Sequence, residues 1–456
     1  MGLLLALSAV VYSRSLHQAL NFDEGNYLGS LDALRHGQRL GADVFLDQPP
    51  GWYDLLLGSA AVFGNTVVGV RTAMLCVALL GLVAAWACGR ALGGPTAGVA
   101  AAALLAIAPP YPSLAAAVES DPPSTVLGLC SVALALYAYR GRPRPWLAFA
   151  AGAVLALAVS VKLFAVVAVP VVALLALRRA PRRAALWPVA GAAAVAVAFA
   201  VAYRNVLPQI WTGVVGAHVN ARGGSQVRGP SNLHRAIDVP NLHSAYGVLA
   251  FCGIVCAAWL AWRRDFRFWP LWLLAADALV FTLFMKPLLD HHLVLLAATL
   301  AVAAGASIGA AVEELPRGLA AAATAIFAVG LAGGFVQQHR ELARNDVPNP
   351  PDVQWAVGEV QRLTRPDERI VSDIPAVGYL AGRRMPGQLI DSSIARIQDE
   401  YLKPAQVVRL IRESGVRVVV VGRLYTTKPV IVNGIAASFP RRLRHGSVTI
   451  YLRGSR

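Results

Sequence analysis

The sequence predicts a polytopic all-α membrane protein of the order of eleven transmembrane helices, followed by a small soluble α/β segment. Two observations carry this. The chain is 57% hydrophobic and only 14% charged, against about a quarter charged in soluble domains. The apolar residues also come in long unbroken runs, such as "TAMLCVALLGLVAAWACG" and "HLVLLAATLAVAAGASIGAAV". Backbone polar groups in lipid must pair within their own segment, so such runs are helices.

The expected spans are 1–20, 66–89, 95–110, 123–139, 146–161, 163–177, 185–203, 245–262, 268–285, 292–312 and 317–336. The first is interrupted by Arg14 and His17 and lacks the basic start of a cleaved signal peptide. The loops alternate in character. "YRGRPRPW", "RRAPRR", "WRRDFRF" and "ELPRG" are crowded with arginine. The positive-inside rule places them on the cytoplasmic side, and the excess of Arg over Lys points to a GC-rich, bacterial source and so to its inner membrane. The remaining loops, 21–65, 109–123, 159–164, 204–244 and 286–292, then share the extracytoplasmic face. The net charge of +16 follows from this topology and does not point to nucleic acid. Cys76, Cys88, Cys130, Cys252 and Cys256 lie inside apolar runs and have neither disulfide nor metal spacing.

Beyond residue 337 the composition turns polar and proline-rich. "RIVSDI", "VRVVVVG" and "VTIYLR" read as strands, and "QWAVGEVQRLT" and "PAQVVRLIRESG" as amphipathic helices between them. The expected division is a membrane part, 1–336, and an extracytoplasmic α/β domain, 337–456.

The polar residues at the outer helix ends are the candidates for chemistry. Asp23 and Glu24, in "NFDEGNY", directly follow the first span. A carboxylate there can accept the proton of an attacking hydroxyl. Asp23 can equally cap a short interfacial helix. "QPPGWYDLLL" brings Tyr53 to the interface behind two prolines. "VESDPPSTVLG" puts Glu119 and Asp121 at the mouth of a span, where Asp121 can cap that helix or face a cavity. Lys162, in "SVKLF", sits between two apolar runs and needs a partner; a lysine there can bind a lipid phosphate as a point charge. "KPLLDHH" supplies Lys286, Asp290, His291 and His292 for a phosphate or for sugar hydroxyls. A metal is disfavoured there, because adjacent residues of an α-helix diverge. Arg222, Arg228 and Arg235, in the long loop 204–244, are further candidates for phosphate or acceptor contacts.

In order and in sidedness these motifs resemble the GT-C class of membrane glycosyltransferases, of the protein O-mannosyltransferase and aminoarabinose transferase type. The resemblance covers about residues 15–312. Gln48 stands where that class usually has His. The resemblance implies Asp23 as catalytic base, Asp121 as supporting acid or metal contact, and Lys162 as a contact to the carrier phosphate. It implies a polyprenyl-phosphate sugar as donor, with inversion at the anomeric carbon. The acceptor stays open between protein, lipid and cell-wall glycan. So does a divalent cation, Mg or Mn, between Asp23 and Asp121. A transporter or flippase of a lipid-linked substrate is the competing reading, but transporters place charge near the midplane and often show repeats.

Overall fold

The computed structural model describes residues 1–179, 183–216, 231–239, 241–398 and 400–454. About 72% of the chain is helical. By contacts the chain divides into two units. One comprises Met1–Leu16, Val68–Ala202 and Arg228–Asp346; the other comprises His17–Val67, Tyr203–Val227 and Val347–Arg456.

The first unit holds the apolar helices. Five helices among the described residues are long and apolar enough to cross a membrane unaided: Val67–Ala106, Ala184–Ala202, Ala245–Trp262, Asp290–Glu313 and Arg317–Arg344. Shorter apolar helices lie at Pro145–Val161, Leu163–Arg178 and Trp269–Phe284. Val67–Ala106 covers two of the expected spans. It is broken at Gly94, whose φ of 84° no helix accepts, directly before Pro95. The helix Asp290–Glu313 is the unit's axis, with 89% of its apolar window buried, whereas Ala184–Ala202 and Arg317–Arg344 bury only 11% of theirs. Small residues let neighbouring backbones close in on the axis. A Cβ on Gly305 would lie 2.5 Å from the carbonyl oxygen of Ala100.

The same device ties the helix Trp187–Ala202 to Pro145–Val161. A Cβ on Gly152 would fall 1.8 Å from the Pro188 carbonyl oxygen, and one on Gly191 2.0 Å from that of Phe149. The two backbones touch with no side chain between them.

The second unit is built on a four-stranded sheet: β1 (Ile370–Ser372), β2 (Val418–Val421), β3 (Arg441–His445) and β4 (Val448–Leu452). The order is β1-β2-β4-β3, with β1 parallel to β2 and the other pairings antiparallel. "VVVV" of β2 is buried on both faces. Its alternation sends Val418 and Val420 into a layer with Val360, Val377, Ala33 and Val44. Val419 and Val421 pack with Val407, Ile411, Ile431 and Ile435 on the other side. The strand β3, which the sequence reading left out, lies at the edge and carries Arg441, Arg442, Arg444 and His445, all exposed.

Ala33 and Val44 belong to the loop 21–65, so that loop is part of the sheet's core rather than a separate flap. Polar contacts fix it further. The Gln38 amide accepts from Gly387 N at 2.8 Å and donates to the Met385 carbonyl at 3.2 Å. Gly25 permits a close approach, since a Cβ there would lie 2.6 Å from Ala376 N.

Candidate functional site

Each unit gathers its own set of the residues singled out above. In the first unit the helix Pro145–Val161 ends at Lys162, whose backbone is extended. The Ser124 hydroxyl donates to the Lys162 and Ala158 carbonyls, at 3.0 and 3.2 Å, and so closes that helix end. The Lys162 ammonium donates to Asp121 Oδ2 at 2.7 Å, with 8% and 2% of the two side chains exposed. The Phe164 ring lies under the ammonium, 4.4 Å from its centre, and meets the His292 ring edge-on at 5.1 Å. Asp121 therefore caps nothing. Its helix starts at Ser120–Asp121 with prolines in the first turn, and its carboxylate is spent on Lys162.

Oδ1 of Asp121 is buried without a hydrogen-bond partner among the described residues, as are the hydroxyls of Ser120 and Thr125. Such groups are costly unless a ligand or water satisfies them. His291 and His292 approach Asp121 closely enough that one ligand atom of each of the three lies within 4.8 Å of the others. The expected divergence of the two histidines does not occur. They sit on a 3-10 turn, Asp290–Leu293, rather than on an α-helix, and their rings meet at 4.3 Å. Lys286 is exposed. Arg235 donates to Asp290 Oδ1 and to the Leu288 carbonyl, both at 3.0 Å, which binds its helix to this turn. Arg222 and Arg228 lie outside the described residues.

In the second unit the helix Phe22–Arg35 is capped by Asn21, not by Asp23. The Asn21 side chain accepts from Glu24 N at 2.8 Å, and Glu24 Oε2 accepts from Asn21 N at 3.3 Å, a reciprocal capping box. Glu24 is thereby given a structural task, and the Asp23 side chain is left out of the cap. Asp23 lies electrostatically close to Asp47 and to Arg423. The Tyr53 hydroxyl donates to Asp47 Oδ1, and the Asn26 amide donates to Asp47 Oδ2 at 3.3 Å. Desolvation, with the charges of Asp391 and Asp23 beside it, raises the Asp47 carboxyl to about 7.

The C-terminal segment supplies the partners of this cluster. Asp373, at the end of β1, accepts from the backbone N–H groups of Gly422, Arg423 and Tyr425 at 2.8 to 2.9 Å. That fixes the turn after β2, and burial still lifts the Asp373 carboxyl to about 6. The turn delivers the Arg423 guanidinium over the Phe22 ring at 3.5 Å. Asp47 is one of several acidic residues in the loop 21–65 to which the sequence alone gives no role, and Asp373, Asp391 and Arg423 are not among its candidates. The strand-end Asp in "RIVSDI" and the arginine after "VVVVG" were the available signals.

A cavity of about 460 Å³ lies elsewhere in the second unit, between Asp32, His36, Asn65, Tyr379 and Arg383. It contains none of the residues named as catalytic.

The family model described as dolichyl-phosphate-mannose-protein mannosyltransferase matches residues 47–204. No curated protein matches the chain by sequence. Among solved structures, ArnT from Cupriavidus metallidurans in the apo state superposes with a TM-score of 0.68 at 16% identity, over 98% of this chain and 97% of that one. The same protein bound to undecaprenyl phosphate gives 0.69 at 15% identity, over 98% and 97%. The archaeal oligosaccharyltransferase AglB from Archaeoglobus fulgidus, in complex with an inhibitory peptide and a dolichol-phosphate, gives 0.57 at 12% identity, over 96% and 72%. The resemblance drawn from the motifs thus holds for the architecture: this is a multi-pass membrane protein with the GT-C glycosyltransferase fold, part of which matches the mannosyltransferase family model.

Proposed function

We propose that the chain transfers a sugar from a polyprenyl-phosphate donor to an acceptor hydroxyl on the outer face of the membrane, with inversion at the anomeric carbon. The observation that carries this reading is the buried Lys162–Asp121 pair, with its unsatisfied neighbouring oxygens, in a chain of this fold. An ammonium already desolvated and held by one carboxylate is suited to take a phosphate oxygen as leaving-group charge develops. The relative solved with undecaprenyl phosphate supports the choice of carrier. Asp23 is the general base toward the acceptor hydroxyl. Glu24 holds the helix that carries Asp23, and Tyr53 holds Asp47 beside it. Lys286 and the histidines at 291 and 292 line the phosphate side. The crowding of arginine in one set of loops, read by the positive-inside rule, supports a site on the extracytoplasmic side.

A divalent cation belongs to the proposal. Asp121, His291 and His292 would hold it, and it would neutralise phosphate charge. Two imidazoles and one carboxylate suit Mn better than Mg, which prefers an all-oxygen shell.

The test is sugar transfer from a radiolabelled membrane-lipid pool, comparing wild type with Asp23→Asn at equal amounts of folded protein. Loss of transfer in the variant supports both base and enzyme class. Full activity removes Asp23 from the mechanism. Failure of the wild type with every polyprenyl-phosphate donor overturns the reading in favour of transport.

A further inference from the structure

The capping of Phe22–Arg35 turns Asn26 toward Asp47, and the hydrogen bond between them uses the Asn26 amide N–H. Asn26 is 2% exposed, yet its Oδ1 has no hydrogen-bond partner among the described residues. Asp391, 4% exposed, spends Oδ1 on the backbone N–H of Ser393 at 2.8 Å. Its Oδ2 is likewise buried and unpartnered. Ile390, the residue before Asp391, packs against Gly29, one turn along the helix from Asn26, where a Cβ would lie 3.1 Å from the Ile390 side chain. Asp391 also acts electrostatically on Asp47, as Asp23 does, so these side chains belong to one neighbourhood of the second unit. Two orphaned acceptors in the neighbourhood of the Asp47 carboxylate are a net demand for donors. A buried acceptor left unmet is costly in a folded protein.

The shortage is specific in kind. What is missing is a hydrogen-bond donor. Among the described residues the sets with three ligand atoms within 4.8 Å of one another contain neither Asp47 nor Asp391. A ligand carrying adjacent O–H groups meets the demand. One hydroxyl donates to Asn26 Oδ1 and its neighbour to Asp391 Oδ2. Buried acceptors of this kind also reject an analogue that lacks the hydroxyl.

We propose that Asn26, Asp47 and Asp391 form a binding site for the vicinal hydroxyls of a sugar ring, with Asp391 contributed by the C-terminal segment. This deepens the transferase reading and rests on it. The ring belongs either to the donor or to a glycan acceptor, and the chemistry is the same.

The full-length protein in lipid nanodiscs is titrated with undecaprenyl phosphate, with undecaprenyl phosphate carrying mannose or arabinose, and with free methyl mannoside and methyl arabinoside. Wild type, Asn26→Ala, Asp391→Ala and Asp391→Asn are compared. Asp391→Asn keeps the side-chain volume and the bond from Ser393, so it covers the case in which Asp391→Ala does not fold.

If the donor is the source, a sugar-bearing lipid binds wild type more tightly than the bare lipid does. Each variant then loses about tenfold of that increment, roughly one hydrogen bond, while bare-lipid affinity stays unchanged. If the acceptor is the source, the free glycosides show the tenfold loss and the lipids do not. An increment that survives all three variants overturns the proposal. So does a wild type that binds the bare lipid but gains nothing from any sugar. A wild type that binds none of the probes overturns the carrier reading as well. Binding lost in the variants but restored by Mn alone would show a cation site instead, and overturns the diol assignment.

Discussion

Lys162 and Asp121 form an ion pair of 2.7 Å with almost nothing of either side chain exposed. They are 41 positions apart and come from two helix ends that meet where Ser124 closes the Pro145–Val161 helix. Neither charge would be tolerated alone at that depth. The pair therefore has to be made before any substrate arrives, and a ligand phosphate would join it rather than create it.

Lys162→Met leaves the carboxylate buried and unpaired. We expect a destabilisation of about 3–5 kcal/mol and loss of transfer. Lys162→Met combined with Asp121→Asn should regain most of the stability and none of the activity. Thermal unfolding in detergent and the transfer assay measure the two separately. A double variant that stays as unstable as the single one would mean that the pair is not the reason.

Arg423 sits over the ring of Phe22, the residue before Asp23, and is electrostatically coupled to Asp23, Asp373 and Asp391. A nearby cation favours the ionised form of a base. Arg423→Gln should therefore move the acid limb of the pH profile of kcat/KM upward, by about one pH unit. Arg423→Lys should bring most of it back. A variant that loses activity equally at all pH values would assign Arg423 to structure alone.

The Asp47 carboxyl, raised to about 7, sets a sign for stability against pH. Its unfolded pKa is lower, near 4. Between those values the unfolded state releases the proton and the folded state keeps it. Folding therefore weakens as pH rises from about 4 to 7, and the loss is complete above 7. The Asp373 carboxyl, raised to about 6, adds in the same direction. Melting temperatures across pH 4 to 8 should fall in the wild type and fall less in Asp47→Asn.

The ligand set Asp121, His291 and His292 makes a further statement. After chelation and dialysis, Mn should restore transfer more fully than Mg. His291→Ala should abolish the difference between the two metals. Activity indifferent to chelators would remove the cation from the proposal.

Gly152 and Gly191 should tolerate nothing larger. A Cβ at Gly152 would overlap a backbone carbonyl, which cannot rotate away as a side chain can. Gly152→Val should cost at least about 1–3 kcal/mol and loosen the Trp187–Ala202 helix, read as faster proteolysis of the loop before it.

The helices were legible because lipid imposes one rule on every segment, that of length and apolarity. The expected spans 146–161, 245–262 and 268–285 fall on Pro145–Val161, Ala245–Trp262 and Trp269–Phe284. Three of the four strands announced themselves as runs of valine and isoleucine. The fourth, "RRLRH", did not, because an exposed edge strand has no apolar face to show. At the site, Asp121, Lys162, His291 and His292 were found as isolated polar residues among apolar runs, and the structure brings all four together. The electrostatic coupling of Asp47 with Asp391 was not legible, since more than three hundred residues separate them. Nor was the task of Glu24, which depended on recognising Asn21 as the cap three residues earlier.

The arginine-laden edge has a consequence for life in a membrane. Membrane proteins share two dimensions, so the sheets of neighbouring copies meet far more often than they would in free solution. A sheet whose last strand offers open N–H and C=O groups invites the next copy to add its own. β3 ends the sheet with three guanidinium groups and an imidazole in five residues. Like charges facing one another across such a seam repel, which opposes the growth of sheet upon sheet. Replacing these residues with threonine or valine would leave the fold intact and turn crowding into clustering.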